Sequence, residues 1–222
     1  DLPSVEPTNK LLNSTFDTDL TGWSEDQAGG YTLNEEFGGD LSLWTETDTN
    51  AKIGIVSGEL DFATGAAVND GVWAASQARA AGTVLAWKIK PSDTNGIINC
   101  GWDTNTSGVI NDRLIFAAAG ALQIASNAGT AYTVGAYTAG TYYVVAAMRA
   151  TGLYWFIYGE AFTSWTLIGI TAAGTAAGLP AITAGSATSI FKSDNVRIPV
   201  TAWLPTPLIS DGFSHATLTD GL

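Results

Sequence analysis

The sequence predicts an all-β fold of two packed antiparallel sheets, and three observations carry that prediction. Apolar residues recur with a period of two in short runs. Turn-forming Gly, Asn and Asp clusters break these runs every ten residues or so, a spacing that suits a sandwich or barrel. No amphipathic helical pattern is longer than Ala75–Ala81, which could form one helical turn before Gly82 stops it.

The elements follow in order along the 222 residues. Residues 1–10 carry two prolines and no periodicity, and read as a tail or linker. Residues 11–199 hold the alternating segments and read as one domain. Leu60 and Phe62 oppose Glu59 and Asp61 across a strand, and Asn69-Asp70-Gly71 marks a turn. In Thr83–Lys90, Leu85, Trp87 and Ile89 share one face while Lys88 and Lys90 take the other. Ile98, Cys100 and Trp102 share the parity of a core face. Tyr142–Arg149 and Leu153–Tyr158 flank Ala150-Thr151-Gly152 and predict a hairpin. Both faces of its second strand are apolar, which predicts a central strand covered on both sides. Val196 and Ile198 alternate with Asn195 and Arg197, and Pro199 ends that strand. Pro205 and Pro207 make residues 200–209 a stiff linker. Residues 210–222 read either as a tail or as the start of a following module, because a Phe set among Asp, Thr and Gly echoes Ser14–Trp23. The chain starts at Asp1, which reads as a processed form or an excised piece.

Composition narrows the function. The chain has one His, one Cys and nine Lys plus Arg, but eight Trp, seven Tyr and eight Phe. It therefore keeps aromatic surface and lacks most of the side chains used in acid–base and nucleophilic chemistry. The net charge of −12 opposes phosphate backbones and anionic membranes, so neither nucleic acid nor membrane insertion is expected. No apolar run approaches the ~18 residues of a membrane span. Cys100 has no intrachain partner and reads as a small core hydrophobe. One His and one Cys far apart make no zinc site.

Leu11–Trp23 (LLNSTFDTDLTGW) resembles the entry strand of carbohydrate-binding jelly rolls, and Ser193–Ile198 (SDNVRI) resembles their closing strand. The middle, from Thr83 to Ile168, is similar to laminin-G and concanavalin A-like sandwiches, with a Trp strand, a Gly-Trp-Asp strand and a Tyr-rich hairpin. This resemblance implies a two-sheet antiparallel jelly roll. It also implies a structural Ca²⁺ bridging the entry and closing strands, at the matching positions Asp17 and Asp194, with Asn13 or Asp19 beside them. Modules of this kind occur in tandem on bacterial surfaces and on phage or virion tails.

Glycoside hydrolysis finds its nearest match in Glu59-Leu60-Asp61. The next acid position holds Thr64, so a second catalytic carboxylate is missing. A Ser-His-Asp arrangement would depend on His215 in the last residues. The expectation is therefore a non-catalytic module. Sugars present CH faces that stack on aromatic rings and hydroxyls that need polar partners. The candidate ligand-binding residues are Trp102, Asp103, Asn105, Arg113, Tyr154, Tyr158 and Trp165, with Asn111 nearby. Trp102 also has core parity, Trp87 and Trp155 read as core, and Trp203 lies between linker prolines. The expected role is glycan binding or adhesion on an extracellular, cell-surface or virion protein. The alternative is a structural spacer or self-assembling subunit that pairs with neighbouring modules.

Overall fold

The computed structural model describes residues 31–127 and 129–199. In chain order the strands are β1 (Tyr31–Glu35), β2 (Trp44–Thr47), β3 (Ile53–Val56), β4 (Glu59–Phe62), β5 (Gly71–Ala74) and β6 (Gln77–Ala78). Then come β7 (Val84–Pro91), β8 (Ile98–Asp103), β9 (Asp112–Ala117), β10 (Ala121–Ala125) and β11 (Tyr132–Ala136). The series ends with β12 (Tyr143–Arg149), β13 (Gly152–Gly159), β14 (Phe162–Ala172), β15 (Ala177–Ala184) and β16 (Phe191–Pro199). A single 3₁₀ turn, Ala118–Gly120, joins β9 to β10.

The strands form two antiparallel sheets packed face to face, the jelly-roll sandwich the sequence implied. The first sheet has the order β14-β13-β12-β7-β16-β4-β3, with β1 also paired to β16. The second has the order β11-β10-β9-β8-β15-β5-β2, with β6 paired to β15. The period of two sets which side chains meet between the sheets. Leu85, Trp87 and Ile89 of β7, Val145 and Ala147 of β12, and Leu153, Trp155 and Ile157 of β13 point inward from the first sheet. Ile98, Cys100 and Trp102 of β8 and Leu114 and Phe116 of β9 meet them from the second. Burial pushes the Cys100 thiol far above its ordinary range, so it packs as an inert apolar group.

The predicted hairpin is β12–β13, in register from Val144 opposite Tyr158 to Arg149 opposite Leu153. β13 is interior, between β12 and β14. The helical turn expected at Ala75–Ala81 does not form. Gln77 and Ala78 are extended against β15, and Arg79 is drawn inward to Asp112, where Nη1 sits 3.0 Å from Oδ2. A buried ion pair outweighs the small propensity preference of an alanine-rich stretch.

Tyr137 shows how burial fixes ionisation. Its hydroxyl donates to the Ala117 carbonyl at 3.1 Å. Burial first, then Asp93 and Tyr143, push its pKa up to about 12. The folded state therefore favours neutral Tyr137. Its contribution is complete below pH ~10, the ordinary tyrosine value, and fades as the pH rises toward 12. Urea unfolding at pH 9, 10 and 11 is expected to show stability falling across this window. Tyr137→Phe is expected to start about 0.5–1.5 kcal/mol lower, for one lost hydrogen bond, and to fall less steeply.

Candidate functional site

The outer face of the second sheet holds a groove of about 270 Å³, just below the ~300–1,000 Å³ of small-molecule sites. Strand register builds it. Thr183 of β15 pairs with Asn99 of β8, Asn99 with Ile115 of β9, Ile115 with Gln123 of β10, and Gln123 with Thr133 of β11. One row of side chains thus crosses five strands, polar but for Ile115. The neighbouring row brings Arg113 opposite Gly101 and Ala125. Ile97, Ala117, Gly185, Gly108, Val109 and Asn69 complete the lining.

The wall of the groove is the loop between β8 and β9, and its own polar residues hold it. Asp103 is buried. Its Oδ2 accepts from the Trp73 indole at 3.0 Å and its Oδ1 from the Thr104 amide at 2.8 Å. Asn111 Oδ1 accepts from the Thr104 hydroxyl at 2.7 Å, and Asn105 Oδ1 accepts from the Ser107 amide at 2.8 Å. Ile110 packs over Trp73 and Ala181, tying the loop to the sheet. At Gly108 the loop takes φ +90° and runs so close to Asn69 that an added Cβ would stand 2.2 Å from the Asn69 Cβ. Only glycine satisfies both the positive φ and the contact.

Hydrogen-bonding capacity remains open along the groove. Arg113 Nη1 donates to the Ile110 carbonyl at 2.6 Å, and among the described residues its guanidinium has no other hydrogen-bond partner. Burial lowers the Arg113 pKa, while Asp103 and Asp112 raise it. Asn99 Nδ2 donates to the Thr183 hydroxyl at 3.3 Å and Gln123 Nε2 to the Thr133 hydroxyl at 3.4 Å. Both amide oxygens remain without a donor among the described residues. The Asn69 carboxamide likewise has no partner there; only its backbone amide is bonded, to Ala184. The groove offers one cationic fork and three amides over an apolar floor of Ile97, Ile115 and Ala117.

The residues picked from the sequence fall in several places. Arg113 lines the groove, and Asp103 and Asn105 shape its wall. Trp102 is 1% exposed and lies between the sheets, with the Arg79 guanidinium 4.9 Å from its ring centroid. Its ring is core, out of reach of a ligand in solvent. Trp165, Tyr154 and Tyr158 lie on the outer face of the first sheet, packed with Phe156. Trp165 is 3% exposed, and its ring centroid is 5.9 Å from that of Tyr158. Asn69, Asn99 and Gln123 were missed. Asn99 and Gln123 are isolated polar residues in their strands, joined only by register through Ile115, and Asn69 reads in the sequence as one residue of a turn.

The implied calcium site does not assemble from the described residues. Asp194 accepts from Lys88 Nζ at 2.6 Å. Asp17, Asn13 and Asp19 lie outside the described residues, as do Trp203, His215, the 1–10 segment, the 200–209 linker and residues 210–222. No group of three His, Cys, Asp or Glu converges among the described residues. No helix among them is long and apolar enough to cross a membrane.

No family model and no curated protein matches the chain. Solved structures match its fold at low identity. A Bacillus licheniformis β-glucanase superposes with a TM-score of 0.55 at 14% identity, over 78% of this chain and 99% of its own. The Ca²⁺/Man2-bound exoplasmic/lumenal domain of VIP36 gives 0.56 at 9%, over 78% and 88%. A sialidase gives 0.53 at 13%, over 75% of this chain but only 18% of its own. These likenesses establish a concanavalin A-like jelly roll. They also correct the exclusion of enzymatic activity drawn from composition, because the fold is shared with glycosidases. Scarcity of His and Cys does not bear on chemistry that carboxylates perform alone.

Proposed function

We propose that the chain is a glycan-binding jelly-roll domain whose ligand lies in the groove of the second sheet. The observation that supports this most directly is the convergence of Arg113, Asn69, Asn99 and Gln123, each with unused hydrogen-bonding capacity, over an apolar floor. Planar amide and guanidinium groups suit vicinal hydroxyls, and the apolar floor suits sugar CH faces. The Man2-bound VIP36 domain, the β-glucanase and the sialidase among the structural neighbours agree with it. A place outside the cytosol, on a cell or virion surface, belongs to the same reading.

A glycan array followed by calorimetric titration tests the reading. Arg113→Ala is expected to weaken the best ligand about tenfold, the worth of one or two hydrogen bonds to a charged group, with the small loss of thermal stability that goes with its bond to the Ile110 carbonyl. Failure of every glycan at millimolar concentration, or full affinity in both Arg113→Ala and Asn99→Ala, would overturn it. The same ligands, incubated and analysed for reducing ends, report any cleavage.

A structural role has one observation in its favour. β11 is an edge strand of the second sheet, exposed except at Val134, and such edges accept another strand. Light scattering that shows a concentration-dependent oligomer, lost on Thr133→Pro, would support that role.

A further inference from the structure

Lysine is scarce in this chain, yet three of its five lysines converge on one spot, on the outer face of the first sheet. Lys88 and Lys90 come from β7 and Lys192 from β16, with Lys90 and Lys192 directly opposite in register. Like charges placed this way destabilise a sheet. Tyr142, just before β12, sits among them, with Lys88 Nζ 4.6 Å and Lys90 Nζ 4.9 Å from its ring centroid.

Three carboxylates lie nearby, but none of them pairs with Lys90. Asp194 Oδ2 takes Lys88 at 2.6 Å, and Glu59 Oε2 takes Lys192 at 3.2 Å. The Tyr142 hydroxyl donates to Glu59 Oε1. Asp61 lies in register with Lys192 and makes no ion pair among the described residues. Burial raises the Glu59 pKa, but Tyr142 and Lys192 outweigh it and hold Glu59 in its charged form. Burial and then Glu59 push the Tyr142 pKa up, so the hydroxyl keeps its proton. Lys90 alone has no carboxylate partner among the described residues. Its ammonium contact there is the face of Tyr142.

We propose that Lys90, with Lys88 and Lys192 behind it, binds the acidic group of a sugar, a carboxylate or a sulfate ester, at a second site on the opposite sheet from the groove. The inference rests on the glycan reading for the class of ligand, but not on the groove. An incoming anion would relieve the repulsion between Lys90 and Lys192 and find Lys90 already oriented by Tyr142. A net charge of −12 opposes non-specific capture of anions, so binding of an acidic sugar would rest on Lys90, whose ammonium has no carboxylate partner among the described residues.

Titration of the protein at low salt with an oligogalacturonate, a sulfated oligosaccharide and a neutral oligosaccharide tests this. Binding is followed by calorimetry and by amide shifts of the two sheets. At least one acidic sugar is expected to bind and to shift amides around Lys90. Carboxylate and sulfate arms identify which group is preferred. Lys90→Gln is expected to weaken that binding about tenfold, while Arg113→Ala leaves it unchanged. Because Lys90 is only half-buried, the substitution preserves the fold, and unchanged thermal unfolding checks this. No binding of either acidic sugar, or binding lost in Arg113→Ala and retained in Lys90→Gln, would overturn the inference. Retained neutral-sugar binding in the groove would leave the glycan reading standing in either case.

Discussion

Asp112→Ala is expected to destabilise the protein by about 3–5 kcal/mol, the cost of leaving a buried charge without its partner. The Arg79 and Asp112 side chains are 1% and 2% exposed and meet at 3.0 Å. Arg79 Nη2 also donates to the Ala173 carbonyl at 3.2 Å, and its Nε has no partner among the described residues. Desolvation is already the largest influence on Arg79 and lowers its pKa, with Asp112 acting against it. Removing Asp112 leaves the guanidinium stranded beside Trp102. It also frees the Asn127 amide, which donates to Asp112 Oδ1 at 3.2 Å. Urea unfolding of Asp112→Ala, Arg79→Met and the double variant Arg79→Met/Asp112→Leu measures the effect. The double variant is expected to recover most of the loss, because replacing both members of a buried pair removes the desolvation cost along with the attraction. A loss under ~1 kcal/mol in Asp112→Ala would show that the pair is hydrated.

Trp155→Ala is expected to cost a similar ~3–5 kcal/mol, by opening a cavity between the sheets. The ring is fully buried, and its Nε1 donates to the Thr171 hydroxyl at 3.0 Å across the β13–β14 pair. The two contributions separate by substitution. Trp155→Phe keeps most of the volume and loses the hydrogen bond, so a smaller loss is expected. Thr171→Val removes the acceptor and leaves the indole N–H unsatisfied, at about 1–3 kcal/mol. Chemical denaturation of the three variants gives the series, and Trp155→Ala must be the largest for the cavity argument to hold.

Facing was readable in the sequence wherever strands are regular. The split between Leu85, Trp87 and Ile89 on one side and Lys88 and Lys90 on the other holds in β7. It held because alternation is a local property of extended backbone. Sheet order was not readable. β16 inserts between β7 and β4, a pairing between segments about a hundred residues apart that leaves no mark on either segment's pattern. Parity also fails where register shifts. The β13–β14 pairing slips between Trp155 and Phe156 and again between Ile157 and Gly159, so counting along the chain does not give the facing of Trp165. The groove needed more still. Asn69, Asn99 and Gln123 are unremarkable alone, and Arg113 was found only because it follows a polar loop. The exclusion of enzymatic activity rested on scarce His and Cys and on the Thr64 that follows Glu59-Leu60-Asp61, and neither local feature bears on a fold shared with glycosidases.

The pairing of β1 with β16 sets Tyr31 opposite Pro199, so the first and last described strands meet at one corner. A pull applied between them runs across the ladder instead of along it. Hydrogen bonds at that corner would break in succession, like the teeth of a zipper, without sharing the load. That pair of strands yields at low tension, and force spectroscopy through these two residues should record a soft, gradual opening instead of a high rupture peak.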